Sequence, residues 1–420
     1  MKNNIVVKLS WVICLAALLA IIPILSACAP EEVMPPPEKV IKIGVTPDLT
    51  GPYSPPVSEI HKYVTFYWRY LNEEKGGING IPVELMWADV RSDPSIIIST
   101  YRRFKLEGIV ALHSYTSVDA TCLISFANRD KIPLVGHGSA TTLLSPPAYN
   151  YACSVNGAQA MIAGAEWYLN EWKKKGLDRP MRLAILGWDN PYGREGLEPL
   201  ALWAPEHGVD LVAALWVSPL ALDYTTELLV IKDKKVDVIA SIGHGGAASR
   251  DAVRIGLPED VRLYFCLGSI ETRTHVALAG DAIKNSLAII PYYTTSEGKP
   301  MFKLLKELSQ RYIGETPHEV TADCCAGWNQ AAILHEGIKN ALAEVGYENL
   351  TGEAVARGLE RIQDLDTGIG YPVSYADYPG DRIASEAYKT WRFDLAADWW
   401  VPISDWYKAM SFPELVRKYT

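Results

Sequence analysis

The sequence predicts an α/β protein built as two doubly wound, Rossmann-like lobes, and three observations lead there. From residue 40 onward, short apolar runs alternate with amphipathic stretches of helical period, the pattern of a parallel sheet covered on both faces. The alternation runs to about residue 136 and starts afresh after the polar segment Tyr149 to Gly157. The length of 420 residues, with 49% hydrophobic and 21% charged content, supplies apolar side chains for two or three domain-sized cores and excludes a disordered or fibrous chain.

In the first series, Val40 to Val45 reads as a strand, Val57 to Lys75 as a helix and Ile81 to Asp89 as a strand. Pro94 to Glu107 is then helix, Gly108 to His113 strand, Asp119 to Arg129 helix and Ile132 to Gly136 strand. The second series opens with helix Ala158 to Lys175, strand Arg182 to Gly187, helix Tyr192 to His207 and strand Val209 to Val217. It continues with helix Asp223 to Lys232, strand Val236 to Ile242, helix Ala247 to Ile255, and strands Arg262 to Leu267 and Ser286 to Pro291. Long helices near Pro300 to Tyr312 and Thr321 to Val345 are too helix-rich for a third similar lobe, so they complete one of the first two.

The N-terminus reads as an export signal. Lys2 and Lys8 precede the apolar run Leu9 to Leu25, which Pro23 interrupts, and Leu25-Ser26-Ala27-Cys28 resembles a bacterial lipoprotein cleavage site. Residues 1–27 are the expected signal peptide, and Cys28 offers its thiol for lipid attachment. Residues 28–39, with Pro30, Pro35, Pro36 and Pro37 among Glu31, Glu32 and Glu38, read as an extended tether. The expected location is extracytoplasmic, periplasmic or at the cell surface, held to a membrane through the N-terminal lipid.

Forty Lys plus Arg against 49 Asp plus Glu give a formal charge of −9, so the overall field repels nucleic acid. The 13 Trp and 22 Tyr fill cores or line pockets for small apolar or aromatic ligands. Beyond Cys14 and Cys28 the cysteines are Cys122, Cys153, Cys266, Cys324 and Cys325, with no CxxC pair or Cys/His spacing that would hold structural zinc. An odd number leaves at least one thiol unpaired, and most read as small buried residues. No G-x-S-x-G elbow, P-loop, H-E-x-x-H or dinucleotide fingerprint occurs, so neither an enzyme nor a cofactor or metal site is expected; His244-Gly245-Gly246 is only a faint echo of an esterase oxyanion loop.

Several short motifs have local physical reasons. Gly76-Gly77 ends a helix where positive φ is needed, and Asn79-Gly80 makes a tight turn into the next strand. Asp93 before Pro94 reads as a helix cap, as does Asp223. A ligand site belongs at the C-terminal ends of the strands, where helix N-termini offer unpaired amides. That places Ser114 to Ser117 and His137 to Thr141 in the cleft of the first lobe, although ordinary loop capping also uses such hydroxyls.

Taken in order, these segments carry a resemblance. Ile41-Lys42-Ile43-Gly44-Val45-Thr46-Pro47 with Leu49-Thr50-Gly51, then Gly76-Gly77-Ile78-Asn79-Gly80, Asp89, Asp93-Pro94, Asp189 with Tyr192-Gly193, Asp223-Tyr224 and Val236-Asp237-Val238-Ile239 resemble the type I periplasmic substrate-binding proteins. The nearest type is the branched-chain amino acid, leucine-binding form serving ABC transporters. The similarity spans roughly residues 40 to 410, and the Gly-Gly-Ile-Asn-Gly turn is its most specific piece.

The resemblance implies a non-enzymatic clamp of two lobes joined by three crossover strands, near Ala152 to Asn156, Ala288 to Tyr292 and Tyr388 to Asp394. Lobe one is then residues 40–153 plus 292–387, and lobe two residues 154–291 plus 388–420. It implies capture of a small ligand, an amino acid or related carboxylate, for delivery to an ABC permease. A sensor subunit of a receptor is the alternative use of the same fold. By the same resemblance Ser117, Ser139, Ala140 and Thr141 hold the ligand carboxylate and Tyr192 supplies the cleft tyrosine, while His244 stands where an aromatic ring is usual. An ungapped register puts Gly268 where amino-acid binders carry an acid for the ligand ammonium, with Glu271 three residues on. Either Glu271 serves or no ammonium is bound, which leaves aromatic acids, amides and other small carboxylates open.

Overall fold

Inner strands of a parallel sheet are covered on both faces and need apolar side chains on both. Ile41-Lys42-Ile43-Gly44-Val45 and Val238-Ile239-Ala240-Ser241-Ile242 supply them. In the computed structural model, which describes residues 39–420 apart from 154, 267, 271, 376–381 and 409, both segments are inner strands. The expected signal peptide, Cys28 and all of the tether but Lys39 lie outside the described residues, as does Glu271.

The first lobe runs β1 (Ile41–Thr46), α1 (Ser54–Lys75), β2 (Val83–Trp87), α2 (Pro94–Leu106), β3 (Ala111–Ser114), α3 (Ser117–Asp130), β4 (Leu134–Gly136), α4 (Thr141–Leu144) and β5 (Asn150–Ala152). Its sheet has the order β2-β1-β3-β4-β5 with every pair parallel. The second lobe runs α5 (Gly157–Lys174), β6 (Met181–Trp188), α6 (Pro191–Glu206), β7 (Val209–Val217), α7 (Thr225–Asp233), β8 (Val238–Ile242), α8 (Gly245–Arg254), β9 (Arg262–Cys266), α9 (Arg273–Ala279) and β10 (Ser286–Ile290). Its parallel part, β7-β6-β8-β9-β10, repeats the same winding.

After β10 come α10 (Pro300–Ile313), α11 (Ala322–Val345) and α12 (Gly352–Glu360), and these pack on the first lobe. A Cβ on Gly327 would sit 2.3 Å from the Ile60 carbonyl oxygen, so the glycine lets α11 lie close against α1. Gln330 Nε2 donates to the carbonyl of Val135 (2.8 Å) and Asn329 Nδ2 to that of Cys153 (2.8 Å), tying α11 to the C-terminal end of the sheet. The chain then returns to the second sheet as β11 (Ala387–Asp394), antiparallel to β10, followed by β12 (Trp399–Pro402), β13 (Tyr407–Lys408) and α13 (Phe412–Tyr419). The long helices complete the first lobe, where their composition had indicated only that they complete one of the two.

The turn after α1 behaves as its glycines predict: Gly76, Gly77, Asn79 and Gly80 have φ of 71°, 83°, 52° and 82°. A Cβ on Gly77 would lie 2.1 Å from the Ile81 carbonyl oxygen. Asp93 caps α2, accepting from the amides of Ser95 (2.8 Å) and Ile96 (3.2 Å). Asp223 accepts from Thr225 N (2.9 Å) one residue outside the cap position, which Tyr224 occupies. The segment from Tyr149 contains strand β5, too short at three residues to show a period, with its buried Asn150 amide donating to the Gly138 carbonyl (2.7 Å). The helices α9, α12 and α13 and the strands β12 and β13 also exceed what the periodicity indicates.

Cys153, Cys266, Cys324 and Cys325 are buried and Cys122 half-buried, and no disulfide joins any two of these five. Among the described residues no helix is long and apolar enough to cross a membrane.

Candidate ligand-binding cleft

Strand order reverses between β1 and β3 in one lobe and between β6 and β8 in the other, so loops at the C-terminal strand ends diverge and leave a crevice. There the structure holds a cavity of about 410 Å³, a size suited to a small molecule. The segments after β3, β4, β6 and β9 border it, together with α1 and α11. The first turns of α1, α3, α6 and α11 all reach it, through Val57, Ser117, Tyr192 and Asp323.

The loop into α3 is fixed by a buried carboxylate. Asp119 accepts from the amides of Tyr115 (2.8 Å) and Thr116 (2.7 Å) and from the hydroxyls of Thr116 (2.6 Å) and Thr46 (3.1 Å). Thr116 Oγ1 in turn accepts from Asp119 N, completing a capping box. Burial raises the Asp119 carboxyl to about 6 in spite of these donors. With the box closed, Ser117 and Val118, whose amides have no acceptor within the helix, border the cavity.

Asn156 organises the second loop. Its Nδ2 donates to the carbonyl of Ser139 (2.8 Å) and to Thr141 Oγ1 (3.1 Å), while its Oδ1 caps α5 through Ala158 N (2.9 Å). His137 borders the cavity beside this loop, and burial lowers its imidazole to about 4, so it is neutral near pH 7. From the other lobe, Asn190 caps α6 at Gly193 N (2.9 Å) and presents Tyr192, whose hydroxyl lies 3.3 Å from Cys266 Sγ. Trp188 borders the cavity and donates through Nε1 to Tyr224 Oη (3.3 Å).

The walls are otherwise apolar or aromatic, including Tyr53, Val57, Ile60, Tyr115 and Val155. Among the described lining residues none is Lys or Arg, and the acids are Glu195 and Asp323. A ligand carboxylate would be held there by amides and hydroxyls, with the body of the ligand against rings and aliphatic carbons.

A family model described as periplasmic binding protein matches residues 40–389. The chain belongs to the periplasmic binding protein family. Among solved structures it is similar to a branched-chain amino acid ABC transporter protein from Thermus thermophilus with bound valine, at 20% identity and a TM-score of 0.78, covering 90% of this chain and 99% of that one. It is also similar to a fatty acid ABC transporter substrate-binding protein from Thermomonospora curvata, at 20% identity and a TM-score of 0.75, covering 92% and 97%. A third is a solute-binding protein of an ABC transporter from Rhodopseudomonas palustris BisB5 in complex with 3,4-dihydroxybenzoic acid, at 16% identity and a TM-score of 0.73, covering 89% and 99%. A search of curated proteins returned no match.

In this binding protein the cavity gathers Ser117, Ser139, Ala140 and Tyr192 from the residues marked in the sequence. Thr141 does not border it, because its hydroxyl is turned to Asn156; Thr142 does instead. His244 is also set back: its Nε2 lies 3.0 Å from the Pro219 carbonyl oxygen, its amide donates to Tyr224 Oη (3.0 Å), and its ring packs edge-on against Trp188 at 4.8 Å. It supports the wall that Trp188 forms. Gly268 borders the cavity with φ of 84°, and a Cβ there would meet nothing within 4 Å, so the wall is open at that point.

Proposed function

We propose that this chain is the extracytoplasmic solute-binding lipoprotein of an ABC importer, capturing a small carboxylate with an apolar body by closure of its two lobes. Lobe one is residues 40–153 plus 292–387 and lobe two residues 154–291 plus 388–420. The observation that carries this is the cavity at both switch points, bordered by the first turns of helices, by Ser117 and Val118, whose amides have no acceptor within their helix, and by aromatic side chains. Ser117, Ser139 and Ala140 receive the carboxylate, and Tyr192 packs on the ligand from the opposite lobe. Because contacts to lobe two exist only when the cleft is shut, ligand shifts the population to the closed form that docks a permease. The valine, fatty-acid and dihydroxybenzoate proteins of the same fold are compatible with such a ligand class. Cys28 carries the lipid that keeps the protein at the membrane.

Thermal shift of the purified protein against amino acids, aromatic carboxylates, amides and sugars tests the ligand class. Stabilisation by leucine, isoleucine or valine identifies an amino-acid binder and calls for an ammonium partner, Glu271 or a lining acid. Stabilisation only by acids without an amino group keeps the clamp and retires Glu271. No response to any carboxylate sinks the proposal. For the ligand found, Tyr192→Ala is expected to weaken binding by more than about 1 kcal/mol.

A further inference from the structure

Side-chain contacts join the lobes at several places, among them Asn156 with Ser139 and Thr141, Gln159 with Glu386 and Lys389 with Glu297, and two more bear on closure. On the cavity margin, Thr142 of the first lobe donates to the Glu195 carboxylate of the second through both its hydroxyl (3.0 Å, to Oε1) and its amide (3.3 Å, to Oε2). Elsewhere Arg273, held in the second lobe by Asp398 (3.1 Å) and by the face of Trp399 (4.2 Å), donates to His318 Nδ1 (2.9 Å) in the loop between α10 and α11.

The first contact is specific in its chemistry. Ala140 has no side-chain oxygen to offer the following amides, and no side chain of the first lobe caps this segment. Glu195 supplies the acceptor from across the cleft, and its neighbour Arg194 is taken up by Asp189 (2.7 Å) and Glu198 (2.9 Å) and does not draw it away. We infer that Glu195 is the positioning residue for closure: its carboxylate, received by Thr142, favours the shut form and so lengthens the residence of whatever is caught.

This inference rests on the clamp proposed above, but it has its own test, because the contact is made by protein groups alone. Removing Glu195 leaves the Thr142 amide without its acceptor and shifts the open–closed balance toward open. Hydrogen exchange of the peptide covering 138–146, read with small-angle scattering of the ligand-free protein, reports both. Glu195→Ala is expected to raise exchange of the Thr142 amide about fivefold, as for loss of one cap, and to increase the radius of gyration. Thr142→Val, which keeps the amide donor, is expected to fall between that variant and the unaltered protein. Glu198→Ala, one turn along the same helix, is expected to change neither. Unchanged exchange and scattering in Glu195→Ala, with melting temperature retained, would overturn the inference even if a ligand binds. The same result in Glu198→Ala as in Glu195→Ala would also overturn it, since a general loosening of α6 would then be the cause. If the exchange effect appears while no carboxylate stabilises the protein, the closure contact stands and the ligand class fails separately.

Discussion

In the proposed lipid anchor, the sulfur atom of Cys28 is the point of attachment. The four residues Leu25-Ser26-Ala27-Cys28 place a thiol directly after small side chains at the end of an apolar run, which is what lipid attachment requires. Cys28→Ala is expected to abolish incorporation of labelled fatty acid and to move the protein from the membrane pellet to the soluble fraction. A variant that still pellets and still carries label removes the anchor from the proposal. In the cleft, Ser117, Ser139 and Ala140 were legible because each follows a strand closely, and position relative to a strand end is a local property, while Tyr192 was marked by the family resemblance. Glu195 and Asp323 carried no such signal. One lies a full turn into α6 and the other on a helix about 130 residues beyond Tyr192, so their arrival at one cavity depends on how helices pack. His244 and Thr141 show the converse: nearness to a strand end did not fix where their side chains turned.

At the scale of elements, the entry to α3 is where local sequence and site geometry meet. Thr116-Ser117-Val118-Asp119 is a capping-box pattern, and it moves the start of the helix two residues upstream of Asp119, where the apolar period alone would begin it. Asp119 receives two amides and two hydroxyls, one of them from Thr46 at the end of β1, so it holds loop, helix and neighbouring strand together. Asp119→Ala is expected to destabilise the protein by roughly 2–4 kcal/mol by leaving those donors unpaired in a buried loop. Urea unfolding measures this, and a loss below about 0.5 kcal/mol would mean the loop is held by other contacts. Asp119→Asn, which keeps one acceptor oxygen, should fall between. The inner strands were legible as continuous apolar runs. Strand β5 was not, since Asn150 is polar and its side-chain amide nitrogen is satisfied by the Gly138 and Leu143 carbonyls that the fold brings to it.

For the molecule as a whole, the burial of histidines sets how stability follows pH. Burial lowers His61, His137 and His275 to about 4 and His113 to about 3, from an ordinary value near 6.5. For a histidine whose folded pKa is depressed, the stabilisation is complete above about 6.5 and is lost as pH falls toward the folded value, because the unfolded chain takes up the proton first. Asp119 acts in the opposite sense: burial raises it to about 6, so its contribution is present below the unfolded value near 3.8 and declines as pH rises through 6. Burial also lowers His335 and raises Glu166, so five imidazoles stand against two carboxyls, the histidines are decisive, and stability is expected to fall steeply between pH 6.5 and pH 4. Urea midpoints at pH 7, 5.5 and 4.5 check this; a midpoint that holds or rises on acidification contradicts it. His137→Gln is expected to reduce the pH slope by about one proton over that window. His137 borders the cavity, so its protonation would also place a cation in a wall that has none among its described residues. A ligand carboxylate in that cavity would be attracted to this cation, so binding is expected to hold or tighten as pH falls from 7 toward 4.5 while the carboxylate stays ionised, and a ligand-induced rise in melting temperature that is clearly smaller at pH 4.5 than at pH 7 would contradict it.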